Sequence, residues 1–482
     1  MKKIFTLLLA LCMLCLCACG GGSGESPAGE GGSAEGGSAE GGKLLVGYAR
    51  VDITPEDNVA MAIYGSESER ISTGYMDKLY GYALAVTGTN GETVLILTCD
   101  HSWYHKTLAS TTRMRLMDEF EELKEENIIC TGTHNHSAPS PGTKDTSTTR
   151  YADEFTKAMI EAGKKAMEDR KEATMYAGSA KATGLNFVRR YILKDGTTPN
   201  FETPPVDQIA GHESEPDDQL QVIRFAREGE RDIAVYNWQA HVNMNMQTKE
   251  NYNLLTSDIF GTFRDEVEKK LDVDVFIWNG AAGNLNPTSK IPDENPTWDH
   301  REYGKLLSKP GVEAFESATE VPAGAVNLVT DTYTGTVNHE FDNVVNQAQQ
   351  VLDYYKKTSD DKGSREMGKE YGINTYKHAS RIISNAKLGA TEDILLKAFS
   401  IGDIGFICLR YEMFDTNGMQ IKEASPFKQT FIIGYTEDGQ GYIPSALVED
   451  HGGYEVDNNV FVMGTGEALA QEYIKLLESI HE

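Results

Sequence analysis

Thr93-Val94-Leu95-Ile96-Leu97-Thr98-Cys99 and Ile128-Ile129-Cys130-Thr131-Gly132-Thr133-His134-Asn135-His136 are two apolar runs, and what joins them decides the fold. After Asp100 and His101, residues 107–125 read as an amphipathic helix with Leu108, Met114, Leu116, Phe120 and Leu123 as core contacts. Strand, helix, strand is a βαβ unit, so the second strand should run parallel to its neighbour. His134 then stands at a carboxyl end, where open α/β sheets place their ligands. On extended backbone, residues i and i+2 point to the same side, which presents His134 and His136 together. Pro139, Pro141 and Gly142 then force an irregular loop. Two imidazoles at a strand end suit a divalent metal, against the plainer reading of two incidental loop histidines.

On the amino-terminal side, residues 44–54 read as a strand closed by Pro55 and residues 78–87 as another, with Gly88-Thr89-Asn90-Gly91 turning back into Thr93. Beyond the histidines, Tyr151, Phe155, Met159 and Ala166 form the core stripe of a helix over 150–170. Residues 174–182 are strand-like, and 220–225 and 233–240 form an antiparallel hairpin whose second strand ends in His241. Ser257 suits the N-cap of a helix through Lys270, and 273–278 is a buried strand entering a glycine-rich loop over 280–289. Residues 338–398 are polar and helix-leaning, with Phe341, Val344, Val345, Ala348 and Val351 as a stripe, and read as an insertion or a lid. Two strands around Gly402-Asp403-Ile404-Gly405 lead to Arg410-Tyr411-Glu412. A strand over 430–435 and a helix over 467–480 complete the chain. The expectation is an α/β fold: one large mixed-sheet catalytic domain over 43–482 with a strand-end metal site.

The 482 residues carry a formal charge of −28, which argues against nucleic acid as a partner, because nothing of that sign releases phosphate counterions. Four of the seven cysteines, Cys12, Cys15, Cys17 and Cys19, fall in a segment where Lys2 and Lys3 precede an apolar run to Leu16. That segment reads as a secretion signal. Leu16-Cys17-Ala18-Cys19 resembles the bacterial lipobox, which implies a lipidated Cys19 and a body anchored at the extracytoplasmic face of the cell membrane. Residues 20–42, with GGSAE twice, have no apolar face to bury and read as a flexible linker. Cys99, Cys130 and Cys408 lie in apolar runs as buried free thiols, a Cys99–Cys130 pair being the alternative.

Of eleven histidines, His134, His136 and His241 share a place directly after an apolar strand. A zinc hydrolase needs about three protein ligands and an open position for water. His134 and His241 supply nitrogen, and Glu412, also after an apolar strand, supplies oxygen. A hydrogen-bonded core histidine and a surface carboxylate are the plainer readings of His241 and Glu412. No G-x-S-x-G elbow, H-E-x-x-H or Walker A loop competes.

Taken together, the motifs resemble the neutral, non-lysosomal ceramidase family. Val46 to Pro55 is similar to its N-terminal signature, and Thr133-His134-Asn135-His136-Ser137-Ala138-Pro139 to its first histidine block. Asn186 to Tyr191 with Lys194-Asp195-Gly196 resembles its asparagine-arginine loop, and Asn237 to His241 with Ser257-Asp258 its second histidine block. Arg410 to Gly418, then Gly434 to Tyr442 with Gly453-Tyr454-Glu455, resemble the late glutamate and tyrosine blocks. The resemblance implies a catalytic Zn2+ held by His134, His241, Glu412 and Tyr442. His136 would face the water or the substrate oxygen, and Arg189 the substrate carbonyl or polar head. Two departures stand out. Gly283-Asn284-Leu285-Asn286-Pro287-Thr288 has Asn286 where the family has a serine assigned a nucleophilic role, which leaves Asn286 a substrate-binding part. The chain also ends where the family's catalytic domain does, so no C-terminal immunoglobulin-like domain is expected. Ceramide, a lipid substrate, is the default; another N-acyl amine or small amide fits the same machinery. An extracytoplasmic solute-binding lipoprotein is the rival from another class.

Overall fold

Apolar strands, most of them buried on both faces, build the first sheet. β1 (Leu45–Asp52), β2 (Tyr80–Thr87) and β3 (Thr93–Cys99) form an antiparallel meander. α1 (Lys106–Glu119) carries the chain back, and β4 (Ile128–Gly132) returns parallel to β3 with Cys130 opposite Leu97. The βαβ unit read from the sequence is therefore present. Next come α2 (Thr146–Glu168), β5 (Lys171–Lys181), β6 (Phe187–Val188), β7 (Tyr191–Leu193), β8 (Ile209–His212), β9 (Gln219–Arg227) and β10 (Ile233–Trp238). β9 and β10 are an antiparallel hairpin, and α3 (Asp258–Leu271) leads to β11 (Asp274–Asn279), parallel to β10. After β12 (Leu285–Asn286) and α4 (His300–Glu316), β13 (Thr319–Val321) pairs with β5. The order of this mixed sheet is β11-β10-β9-β5-β1-β2-β3-β4, with β13 on β5.

The computed structural model describes residues 42–62, 70–142, 146–198, 204–245, 249–294, 298–436 and 441–481. The expected secretion signal, Cys19 and all of the linker but Gly42 lie outside them. Residues Gly41–Glu482 form one compact unit.

A second sheet packs on the first. β14 (Val326–Thr336) pairs antiparallel with β15 (Thr391–Ile401), Thr336 facing Thr391 at one end and Val326 facing Ile401 at the other. The connection between them is a helical insertion of α5 (Val345–Thr358), α6 (Asp361–Gly368) and α7 (Tyr376–Asn385), with its own small core of Ala348, Val351, Ile373, Ala379, Ile382 and Ile383. Residues 391–398, grouped with the helix-leaning stretch on polarity, are strand. Ile394, Leu396 and Ala398 are buried at every second position, the period of a sheet. β16 (Ile404–Cys408) pairs with β15, and β18 (Gln429–Ile433) lies parallel to β16. Between them sit the two-residue strand β17 (Glu412–Met413) and α8 (Asp415–Ala424). β19 (Tyr442–Ile443), α9 (Tyr454–Asp457) and α10 (Thr465–Ile480) complete the chain.

Layering follows from which faces are apolar. The inner faces of the two sheets meet in one core, where Trp278 of the first stands edge-on to Phe406 and Phe431 of the second. The outer face of the first sheet is covered by α1 and α2 at one side and α3 and α4 at the other, and that of the second by α8 and α10. Among the described residues no helix is long and apolar enough to cross a membrane.

Some local expectations shift. α1 stops at Glu119 because Phe120 leaves helical backbone, which lets Leu123 bury. Met114 is 49% exposed: the buried stripe is Ala109, Thr112, Arg113 and Leu116, at i, i+3, i+4 and i+7, and Met114 falls off it. Ser257 occupies the N-cap of α3 without capping; its hydroxyl turns to the Lys78 carbonyl and the Asp100 carboxylate. Cys99, Cys130 and Cys408 are buried free thiols. Cys99 faces Gly132 across the ladder, not Cys130.

Candidate metal centre and active site

Among the described residues, β3∥β4, β10∥β11 and β16∥β18 are the parallel pairs of long strands. The chain leaving the carboxyl ends of β4, β10, β11, β16 and β18 supplies the site. β4 and β11 are opposite edges of the first sheet, yet their ends meet. The Asn279 amide at the tip of β11 donates to the Thr133 carbonyl at 3.2 Å and to the Ala240 carbonyl at 2.8 Å, tying the two histidine loops together. His136 N–H donates to the Val242 carbonyl at 2.9 Å. Thr131 Oγ1 donates to the Gly434 carbonyl at 2.6 Å and holds the second sheet to the first.

His134, His136 and His241 are buried together, with donor nitrogens within 4.8 Å of one another. The reason is not the one expected. β4 ends at Gly132, and His134 sits in left-handed backbone (φ 62°), so the rings converge through a turn and not through the pleat of a strand. A non-glycine residue in that region costs about 1–3 kcal/mol and persists where its surroundings hold it. Here the holding group is Tyr435, itself at φ 57°, whose ring stacks on His134 at 4.0 Å and 15°.

Glu412 completes the cluster. Its Oε2 lies 3.4 Å from His134 Nε2 and 3.2 Å from His241 Nε2. His241 Nδ1 faces the Ala282 and Leu285 carbonyls at 2.9 and 3.0 Å, so it must carry the proton, and Nε2 presents a lone pair. Burial, followed by Arg189, lowers His241 to about 4, so it is neutral at pH 7. Burial alone would raise Glu412, but His134 and His241 hold its carboxyl well below the ordinary range. With the His241 ring proton on Nδ1, its Nε2 faces Glu412 Oε2 with no imidazole hydrogen between them, and both atoms are buried. Such a pair is costly unless a cation lies between. The residues fit a metal ion, and mixed imidazole and carboxylate donors are those that zinc takes. The Ala282 and Leu285 carbonyls are the outer partners that orient a histidine ligand.

Tyr442 reaches the cluster through the β17–β19 ladder, where it is the direct partner of Glu412. Its hydroxyl accepts from Arg189 Nη2 at 3.1 Å, and burial followed by the Glu412 charge pushes the phenol well above its usual value. Arg189 is held in turn by Glu455, its Nε 2.7 Å from Oε1, while Arg190 takes Oε2 at 2.8 Å. Asn286 follows Leu285, the residue that clamps His241. It pairs with Phe187 across β12 and β6, two positions before Arg189, and its Oδ1 is buried without a partner. His136 has its Nε2 3.2 Å from His134 Nε2; burial, then His134 and His241, hold it well below its usual value.

Gly283 makes the Glu412 position possible. A Cβ there would stand 2.4 Å from the Glu412 carbonyl oxygen, and Gly283 N–H bonds the Met413 carbonyl at 2.9 Å. Gly283→Ala is expected to shift β17, costing about 1–3 kcal/mol of stability and measurably weakening metal binding. Titration of bound metal against a chromogenic chelator checks this; unchanged affinity would mean that β17 does not set the donor position.

The structure thus gathers His134, His136, His241, Glu412, Tyr442 and Arg189, with Asn286 one residue from the His241 clamp. Reading of residues missed Tyr435, Asn279 and Glu455 as members. Glu455 lay in a block already singled out, and a buried acid opposite Arg189-Arg190 was the signal available. Nothing local marked Tyr435 or Asn279.

The sequence profile described as "Neutral/alkaline non-lysosomal ceramidase, N-terminal" matches residues 44–285, about half of the chain. No curated protein sequence matches significantly. Among solved structures, neutral ceramidase from Pseudomonas aeruginosa is similar at a TM-score of 0.69 and 17% identity, over 91% of this chain and 75% of that one. A ceramidase complexed with C2 is similar at 0.67 and 17%, over 91% and 76%. At that identity the likeness speaks for the fold, and the fold agrees with the profile. With a mixed-sheet body of the ceramidase fold and a buried three-histidine cluster at its strand ends, the chain belongs to the neutral/alkaline non-lysosomal ceramidase family.

Proposed function

We propose that the protein is a zinc-dependent amidohydrolase that cleaves the N-acyl amide bond of ceramide-like lipids with water as nucleophile. The observation that carries this reading is the convergence of three buried imidazoles with the Glu412 carboxylate, whose Oε2 lies 3.2 Å from His241 Nε2 and 3.4 Å from His134 Nε2. His134, His241, Glu412 and Tyr442 would hold the ion. When bound, zinc activates water and polarises an amide carbonyl. The protein's own groups do the rest. His136, kept neutral by burial, accepts the proton of the attacking water and passes it to the departing amine. Arg189, fixed by Glu455, donates to the carbonyl oxygen as charge develops there. Because Glu455 and the Tyr442 hydroxyl hold Arg189 before substrate arrives, little reorganisation is needed at reaction. The amide of Asn286 is free to bond the substrate and cannot form an acyl intermediate, so a route through a serine ester at that position is closed.

The test is a stoichiometry and a panel. Purified protein is expected to hold about one zinc per chain, to lose hydrolysis on chelation and regain it with zinc, and to cleave N-acyl sphingosines or related N-acyl amines. Protein that binds no zinc and hydrolyses no amide would sink the reading.

A further inference from the structure

Asn284 and Asp415 are 131 positions apart in the chain and meet as a matched pair. The Asn284 amide donates from Nδ2 to Asp415 Oδ1 at 2.6 Å, and its Oδ1 accepts the Asp415 backbone N–H at 2.9 Å. Asp415 Oδ2 accepts the Asp217 N–H at 3.0 Å. Both side chains of the pair are buried. Among the described residues, N–H donors and no cation meet the Asp415 oxygens, and burial pushes its carboxyl up to about 6. A buried acid without a counter-ion costs stability, so packing alone does not account for it.

Each member borders the site. The Asn284 carbonyl accepts the Arg189 N–H at 2.9 Å, and the next residue, Leu285, offers the carbonyl that faces His241 Nδ1 at 3.0 Å. On the other side, Asp415 follows closely on Glu412, and the Gly283 N–H holds the Met413 carbonyl between them at 2.9 Å. The Asp217 carbonyl takes the amides of Asn186 at 2.8 Å and Gln239 at 2.7 Å, which lie just before Arg189 and His241. The segments that carry His241, Arg189 and Glu412 therefore converge on one buried carboxylate. A hydrogen bond lost there shifts these groups against one another.

We propose that Asn284 and Asp415 are positioning residues for the metal centre: their paired side chains set the spacing between Glu412 and the turn that holds His241 and Arg189. The effect on turnover rests on the amidohydrolase reading, and the effect on metal affinity rests on the cluster alone.

The experiment exchanges the pair. Asn284→Asp sets two carboxylates against each other, and Asp415→Asn leaves an N–H facing an N–H. In the double variant Asn284→Asp/Asp415→Asn the new amide donates to the new carboxylate, its oxygen keeps the Asp217 N–H, and the net charge is unchanged. Zinc affinity by chelator competition, kcat and KM for N-dodecanoyl sphingosine at saturating zinc, and the thermal midpoint are read on each protein. Each single variant is expected to bind zinc about 10–100-fold more weakly than wild type, the worth of an outer partner of a ligand. Turnover should fall in kcat more than in KM, and the double variant should recover most of both losses. Asn284→Ser, which keeps a donor to Asp415 and shortens its reach to the 415 N–H, takes the place of a single variant that does not fold. Lower thermal midpoints with wild-type affinity and kcat would make the pair merely structural and overturn the proposal, as would a double variant no better than the singles. If wild type binds zinc and cleaves no amide, weakened affinity in the singles with recovery in the double still supports the pair, and the amidohydrolase reading alone falls. A wild type that binds no zinc removes both.

Discussion

Replacing His241 with alanine is expected to leave a folded protein that no longer retains metal. The loss in affinity should exceed the ~10–100-fold that an outer partner of a ligand is worth. Amide hydrolysis should fall by at least about 100–1,000-fold, the scale on which a lost charge-stabilising group acts. The fold should survive because the backbone N–H of His241 still bonds the Leu285 carbonyl and Asn279 still ties Ala240 to Thr133. Metal analysis, circular dichroism and hydrolysis on one preparation separate the effects. His136→Ala is the control that splits the histidine pair: metal should stay and hydrolysis should go. If His136→Ala loses metal as fully as His241→Ala, three imidazoles hold the ion and the roles assigned to Glu412 and Tyr442 fall.

Glu455→Gln is expected to destabilise the protein by about 3–5 kcal/mol, because removing one partner of a buried ion pair leaves charge uncompensated. Arg189 and Arg190 are both addressed by this carboxylate, and both side chains are largely buried. The pH dependence has a definite sign. Burial works against ionisation, but Arg189 and Arg190 hold Glu455 below its ordinary value. Its contribution is therefore complete above the unfolded carboxylate value of about 4.3 and is lost as pH falls through the lower folded value. Urea titrations at neutral and acid pH should show a gap between wild type and Glu455→Gln that narrows on acidification. A gap that does not narrow would mean the glutamate acts through packing.

How much of this was legible depends on the range of the interactions. The βαβ unit at residues 93–132 and the β9–β10 hairpin were readable because each is written in one local period. His241 and Glu412 were readable as strand-end donors for the same reason. Tyr442 was not, since its only claim is a register with Glu412 thirty residues away, and it entered through family resemblance alone. The HxH pair was anticipated for a wrong reason: extended backbone was assumed, and a left-handed turn held by Tyr435 delivers the rings. Tyr435 and Asn279 look like ordinary strand-end residues, and their parts exist only once two sheets meet.

That meeting bears on how the protein matures. The proposed donors, His134, His241, Glu412 and Tyr442, come from distant parts of the chain, and the bonds from Thr131 to the Gly434 carbonyl and from Gly283 to the Met413 carbonyl tie the early part to the late one. If these four hold the ion, a chain emerging from the ribosome has no complete site until its last third has docked. On that ligand set, early capture of zinc by a partial fold would be disfavoured by topology, and the ion would act as a lock on the finished protein. At a thousandfold excess over its dissociation constant it would add about 4 kcal/mol.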